Sequence, residues 1–348
     1  MNNQLRNIIL KRIITIPFLL GSSLTVLADP SISEFEGTLQ HGQVVKISGQ
    51  DFGTPSSTDL RLWDTIDNQS AYNTLARGTA VPTDTGPWED NGNTWSNLIV
   101  IGEEPRSSLP QSSKVYQGTG KAFLGWPKAF NNNRNNTLYL TWYLKPMKDP
   151  DEFGGSNKFT RIWDAPDGSG TRLAWNQILI GGESIPNSSW ANWGGNIASW
   201  NRMEMLIDGR RGLVKAWTNG RQIHNITSFS KANVEEGLTP AQLGFDANYA
   251  DRYETLRFYI DDIYASDTPA RVELSSSSTW DGTAGKREVQ PIRSWSGSGI
   301  SFEINLGALD PDGPLYLYVI DEDERVNSQG FEVAACPKCP EPTVLEIE

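Results

Sequence analysis

Thr137-Leu-Tyr-Leu-Thr-Trp-Tyr-Leu144 alternates like a strand with one buried face: Leu138, Leu140, Trp142 and Leu144 on one side, Tyr139, Thr141, Tyr143 and then Lys145 on the other. Short β-branched or aromatic runs bounded by Gly, Asn, Asp or Pro recur at 158–163, 173–180, 202–207, 213–218 and 255–264. Between 213–218 and 221–223 stands Asn219-Gly220, the favoured two-residue hairpin turn, because both residues tolerate positive φ. Helical spacing is nearly absent. An all-β sandwich is therefore expected.

The chain has 348 residues, 37% hydrophobic and 21% charged, with 32 Gly and 20 Pro, which excludes collagen, coiled coil and wholesale disorder. Its net charge of −12, with no clustered Lys/Arg footprint, makes it a poor ligand for nucleic acid or an anionic membrane surface. Ten of the 13 tryptophans lie between 64 and 268, marking an aromatic-rich centre between two flanks.

The N-terminus reads as an export signal: Arg6, Lys11 and Arg12, then an uncharged, mostly apolar 13–27, then Val26-Leu27-Ala28 with cleavage expected before Asp29. Against an uncleaved anchor, the run falls short of the ~20 apolar residues of a span and is interrupted by Pro17 and Gly21-Ser22-Ser23. With no second hydrophobic run, the mature chain is expected to be periplasmic, secreted or held at the cell surface without a membrane span. Cys336 and Cys339, the only cysteines, fall short of the four ligands of a structural zinc site, and in an oxidising compartment a local disulfide is the expected state.

The flanks carry a resemblance. Pro30-Ser-Ile-Ser33, His41-Gly42 and Ile47-Ser48-Gly49-Gln-Asp-Phe52-Gly53 resemble the opening of an immunoglobulin-like IPT/TIG domain. Trp295-Ser-Gly-Ser-Gly-Ile300-Ser-Phe302, Leu315-Tyr-Leu-Tyr-Val-Ile320 and Asn327-Ser-Gln-Gly-Phe331 resemble its close. The insert resembles the concanavalin A-like (laminin G-like) jelly rolls of lectins, glycanases and polysaccharide lyases, through Trp200-Asn-Arg-Met-Glu204, Val214-Lys-Ala-Trp217-Thr-Asn219-Gly220 and Phe258-Tyr-Ile-Asp261-Asp262-Ile-Tyr264. Between the export signal at 1–28 and a Pro- and Cys-containing tail at 334–348, the resemblances imply a split immunoglobulin-like sandwich at 29–63 and 269–333 and a jelly roll at 64–268.

The chemistry is first bounded by what is missing. No Glu-x-Asp-x-x-Glu run places paired carboxylates on one strand face. Gly118-Thr-Gly120-Lys121 lacks the first Gly and the Ser/Thr of a phosphate loop. Only two histidines occur: His41 sits at a turn, and His224 follows the hairpin, outside the Gln-x-His context of alginate-lyase-type jelly rolls.

A groove of neutral and basic residues is the remaining candidate. By parity Arg202 and Glu204 oppose Met203, Met205 and Ile207, and Trp175 shares a face with Gln177. With Tyr139, Tyr143, Lys145 and Arg161 they form the expected ligand face: Arg offers a fork for a uronate carboxylate, and rings stack on sugar C–H faces. The alternative is an ordinary solvent-facing polar sheet. Trp190 and Trp193, in a Ser/Asn/Gly loop, either plug the sandwich edge or form a ligand platform, and the cost of exposing two rings favours the plug. Asp261 and Asp262, and Asp164 with Asp167, could offer oxygens to calcium, though neither pair completes a loop motif.

The leading expectation is a non-catalytic exported protein that binds a polysaccharide or cell-surface glycan. The first rival is a polysaccharide lyase in which Tyr removes the proton α to a uronate carboxylate while Arg and Gln neutralise that carboxylate. The second is an envelope protein without a ligand.

Overall fold

In the computed structural model, residues 28–333 are described apart from 56–59, 93–95, 108, 110–111, 166–168 and 281–286. The export signal, the Cys336/Cys339 pair and Asp167 lie outside the described residues. The chain is nearly all β, 46% strand and 3% helix. Among the described residues, no helix is long and apolar enough to cross a membrane.

Strands are numbered along the chain. A seven-stranded sheet runs β12 (Ser189–Trp190), β11 (Leu179–Gly181), β10 (Arg172–Asn176), β9 (Lys158–Trp163), β16 (Thr239–Asp246), β7 (Ala122–Pro127), β4 (Trp88–Asn91). An eight-stranded sheet faces it: β15 (Arg221–Ile226), β14 (Leu213–Thr218), β13 (Asn201–Asp208), β8 (Thr137–Pro146), β17 (Arg257–Ser266), β6 (Val115–Thr119), β5 (Val100–Gly102), with β3 (Leu60–Asp64) also paired to β17. The pairings are antiparallel. The expected hairpin joins β14 to β15, with Asn219 at φ 53° and Gly220 at φ 77°.

The period-2 reading of 137–144 fixes how these sheets stack. Leu138, Leu140, Trp142 and Leu144 enter one core with Met203, Met205, Ile260, Phe159 and Trp175. Trp142 and Trp175, one from each sheet, meet edge to face at 5.9 Å. Such a buried ring contributes on the order of 2–3 kcal/mol by removal from water. The core also holds a satisfied polar group: the Asp64 carboxylate accepts from Trp88 Nε1 at 2.8 Å and from the Tyr116 hydroxyl at 2.6 Å. Both partners compensate the burial of a carboxylate that is 0% exposed.

The chain ends build a second, smaller sandwich. One sheet is β1 (Ser31–Glu36), β2 (Val44–Gln50), β21 (Gly299–Glu303), β20 (Ile292–Ser296); the other is β19 (Arg287–Gln290), β18 (Arg271–Ser275), β22 (Tyr316–Ile320), β23 (Phe331–Glu332). Val45 pairs with Phe302 and Ile47 with Ile300, so the first and last thirds of the chain share one sheet. They also share one core, where Val45, Ile47 and Phe52 pack with Val272, Leu274, Phe302 and Val319. Leu60 pairs with Ser266, which places entry to and exit from the larger sandwich side by side. β3 thus belongs to the larger sandwich, although the sequence reading carries the first flank to residue 63.

Candidate functional site

The outer face of β8 and β13 is where sequence parity expects an open groove. The parity holds and the groove does not: the second sandwich sits on that face. Arg202 is 6% exposed and Glu204 3%. The Arg202 guanidinium donates to both oxygens of Glu273 on β18, at 2.7 and 3.0 Å. Arg271 donates to Glu273 at 2.6 Å and to Glu204 at 3.2 Å, and the Tyr139 hydroxyl donates to Glu204 at 2.8 Å. Tyr143 donates to the Arg287 carbonyl at 2.8 Å. Lys145 pairs with Glu104.

Burial pushes the Tyr139 and Tyr143 hydroxyls up from their ordinary value, the opposite of what a proton-abstracting base needs. Tyr139, Tyr143, Arg202 and Glu204 form a joint rather than a ligand face, and Lys145 is engaged by Glu104 within the larger sandwich. A local pattern reports which way a side chain points and cannot report what covers it from 70 residues away.

Two further expectations are corrected, and the two loop tryptophans divide between the alternatives. Gln177 is buried and fastens a loop, donating to Gly155 O at 2.9 Å and accepting from Asn157 N at 2.8 Å. Trp175 lies in the core, on the face opposite to the one expected. The two loop tryptophans separate: Trp193, 3% exposed, plugs the edge against Phe159 at 5.3 Å, whereas Trp190 is 70% exposed.

Of the calcium candidates, Asp262 pairs with Arg106, and burial beside Asp262 pushes the Asp261 carboxyl well up, so Asp261 favours the neutral form. Asp164 accepts from Thr171 N and pairs with Lys231. Among the described residues no group of three His, Cys, Asp or Glu is placed to hold a metal ion. His41 accepts from Leu306 N at 3.3 Å, and burial lowers its pKa. His224 lies edge-on to Trp175 with Nδ1 3.0 Å from Ser189 Oγ, and burial lowers its pKa to about 4.

The open site lies on the other sheet. A cleft of about 330 Å³ crosses the outer face of β9, β10 and β11, lined by Lys158, Arg161, Trp163, Arg172, Asn176 and Glu183 among others. The register makes it: Arg161 stands opposite Ala174, Trp163 opposite Arg172 and Lys158 opposite Asn176. Directly opposed residues share a face, so the small Ala174 leaves a hollow between larger neighbours. At the wall, Gly182 has φ 148° and a Cβ there would meet Arg172 O at 2.3 Å, so only glycine permits this close return of the chain.

The electrostatics of the cleft are uneven. Arg161 donates through Nε and Nη2 to Asp246 at 2.9 and 2.6 Å, and Lys121 reaches the other Asp246 oxygen at 3.1 Å. Arg172 lies over the Trp163 ring at 4.5 Å, and Trp126 meets Trp163 edge-on at 6.1 Å. Its ion pair with Glu183 is long, 3.9 Å. The Lys158 ammonium has neither a hydrogen bond nor an ion pair with any described residue; burial, then the neighbouring Arg161, lowers its pKa against the weaker attraction of Asp246. Trp190 pairs with Leu179, which lines the cleft, so its exposed ring stands on the same face at the rim. Only Arg161 and Trp190 of these were legible as site residues.

No family model matches the sequence, and no curated protein matches it. Solved structures show likenesses. Domain 4 of AbnA, an extracellular GH43 arabinanase from Geobacillus stearothermophilus solved with arabinotriose, is 15% identical, with 60% of this chain and 95% of that chain covered and a TM-score of 0.33. The alginate lyase Aly36B is 11% identical, with 56% and 93% covered and a TM-score of 0.33. The binding domain of Paraclostridial Mosquitocidal Protein 1 is 9% identical, with 70% and 62% covered and a TM-score of 0.35. At these scores the likenesses assign this chain no ligand and no activity.

Proposed function

We propose that the protein is an exported glycan-binding protein that seats the carboxylate of an acidic saccharide in the cleft of the seven-stranded sheet. The observation that carries the reading is Lys158: a half-buried ammonium with no hydrogen-bond or ion-pair partner among the described residues, beside Arg161 and attracted only at a distance by an Asp246 already paired with Arg161 and Lys121, in a cleft that opens to solvent. Leaving a charge partly desolvated and unpaired is costly, and an anionic ligand removes that cost. Four cations, Lys121, Lys158, Arg161 and Arg172, surround the cleft against two carboxylates, Asp246 and Glu183. This local excess attracts an anion to a chain whose net charge is −12. Trp190 offers the flat apolar face on which a sugar ring stacks.

Binding is preferred to β-elimination because Tyr139 and Tyr143, the bases that the lyase reading requires, are under the second sandwich, and among the described residues lining the cleft there is no tyrosine or histidine. The division into a split IPT/TIG-like domain and an inserted jelly roll belongs to the same reading, as does export to the periplasm or beyond. Calorimetric titration with oligouronates and with neutral glucans of equal length tests it. Saturable binding of the acidic series alone, lost in Lys158→Ala, supports the reading; binding of neither series removes it, and unsaturated products absorbing in the ultraviolet replace it with a lyase.

A further inference from the structure

A second cavity, of about 110 Å³, lies where the two sandwiches meet, bounded by Tyr139, Glu204, Trp217, Arg271, Trp280 and Arg287 with Leu206 in its wall. Three guanidiniums, Arg202, Arg271 and Arg287, are gathered here around two carboxylates, Glu204 and Glu273. Glu324, which also lines the cavity, is held by Arg211 and Lys215, so the cluster of three guanidiniums and two carboxylates keeps one positive charge too many. Arg202 and Arg271 spend their hydrogen bonds on Glu273 and Glu204. Arg287 does not: its guanidinium stands 3.6 Å from the nearest oxygen of each carboxylate, makes no hydrogen bond to a described residue, and lies over the Trp280 ring at 4.2 Å. Opposite it, Glu204 Oε2 is buried without a hydrogen-bond partner among the described residues. Both residues are more than nine-tenths buried.

We propose that this cavity is a binding site for a small hydroxycarboxylate. A single carboxylate neutralises the surplus charge and matches the unspent fork of Arg287. A hydroxyl on the neighbouring carbon supplies the donor that Glu204 Oε2 lacks. The small volume, about 110 Å³, suits a two- or three-carbon acid such as glycolate or lactate. Trp217 and Trp280 close the cavity with flat walls. The site is separate from the cleft, on the opposite face of the larger sandwich, and does not depend on it.

The test is calorimetric titration of the full chain with glycolate, acetate, ethylene glycol and chloride at constant ionic strength. Glycolate binds saturably, acetate at least threefold more weakly, and ethylene glycol and chloride not at all. Arg287→Lys keeps the charge but loses the fork and weakens glycolate at least tenfold. Leu206→Phe fills the cavity without touching the charged cluster and removes binding while circular dichroism still reports the folded chain. Lys158→Ala leaves glycolate binding unchanged. No saturable heat with the wild-type chain means that the cavity holds water only and overturns the proposal. So does equal binding of chloride and glycolate, equal binding of acetate and glycolate, or undiminished binding in folded Leu206→Phe.

Discussion

Arg202 and Glu273 meet across the joint between the two sandwiches with both guanidinium–carboxylate bonds formed, Nη1 to Oε2 at 2.7 Å and Nη2 to Oε1 at 3.0 Å. Burial alone would raise the Glu273 carboxyl, but Arg202, Arg287 and Arg271 outweigh it and hold it well below its ordinary value. A carboxyl lowered in the folded state contributes stability that is present above the ordinary carboxylate range and lost as the pH falls through its folded value. Glu273→Gln leaves three guanidiniums around one carboxylate. It should cost about 3–5 kcal/mol at neutral pH in a chemical-denaturation experiment. Arg202→Lys should cost less and leave glycan affinity unchanged.

Lys158 gives the opposite pattern. Because burial lowers its pKa, its ammonium is held at a cost, and that part of the stability is recovered as the pH rises from its folded value towards 10.5. Lys158→Met should leave stability equal or slightly higher. A charge-assisted hydrogen bond is worth about 1.5–3 kcal/mol, so acidic-glycan affinity should fall about tenfold or more, with a shallower salt dependence. Wild-type affinity should also fall with alkaline pH as the amine deprotonates. Calorimetry across pH and salt reads all three.

The two loop tryptophans make a paired test. Trp190→Ala removes an exposed ring and should change stability by less than about 0.5 kcal/mol, while reducing glycan affinity several-fold. Trp193→Ala empties a plug packed on Phe159 and should cost about 3–5 kcal/mol. Thermal melts of the two variants, followed by titration of whichever remains folded, separate platform from plug.

His224 sets a mild acid limit. Its folded pKa of about 4 lies below the ordinary 6.5, so the unfolded chain takes up a proton first as the pH falls. The contribution is complete above 6.5, shrinks between 6.5 and 4 and is gone below, about 3 kcal/mol in all. His224→Gln should flatten the stability profile across that window, measured by denaturant titration at half-unit pH steps.

Much of the architecture could be read from local signals, and much of the site could not. The alternation at 137–144 and the Asn219-Gly220 turn are properties of a few neighbouring residues, and the sheets follow them. The same alternation put Tyr139, Arg202 and Glu204 on the correct face, yet their partners Arg271, Glu273 and Arg287 arrive from a flank that no periodicity connects to them. Lys158 and Arg172 were missed for a different reason. Between the Trp175–Thr160 and Asn176–Lys158 pairs the ladder skips Phe159 of β9, so counting by twos along β9 misassigns the faces. The signal that could have revealed the cleft is Arg172-Leu-Ala-Trp-Asn176, where Trp175 marks the core and leaves Arg172, Ala174 and Asn176 outside.

The pairing of Leu60 with Ser266 has a consequence for the order of assembly. Val45 and Phe302 are more than 250 residues apart along the chain, and joining them directly in an unfolded polypeptide confines a very long loop. Once β3 and β17 are zipped, the path between those two partners shortens to roughly a fifth of that length. By the logarithmic law for ring closure this spares about 1–2 kcal/mol of configurational entropy. The small sandwich is thus positioned to fold second, templated by the large one. A lesion in the central sheets should dissolve both bodies together, whereas one confined to β1 or β20 should leave the central body standing.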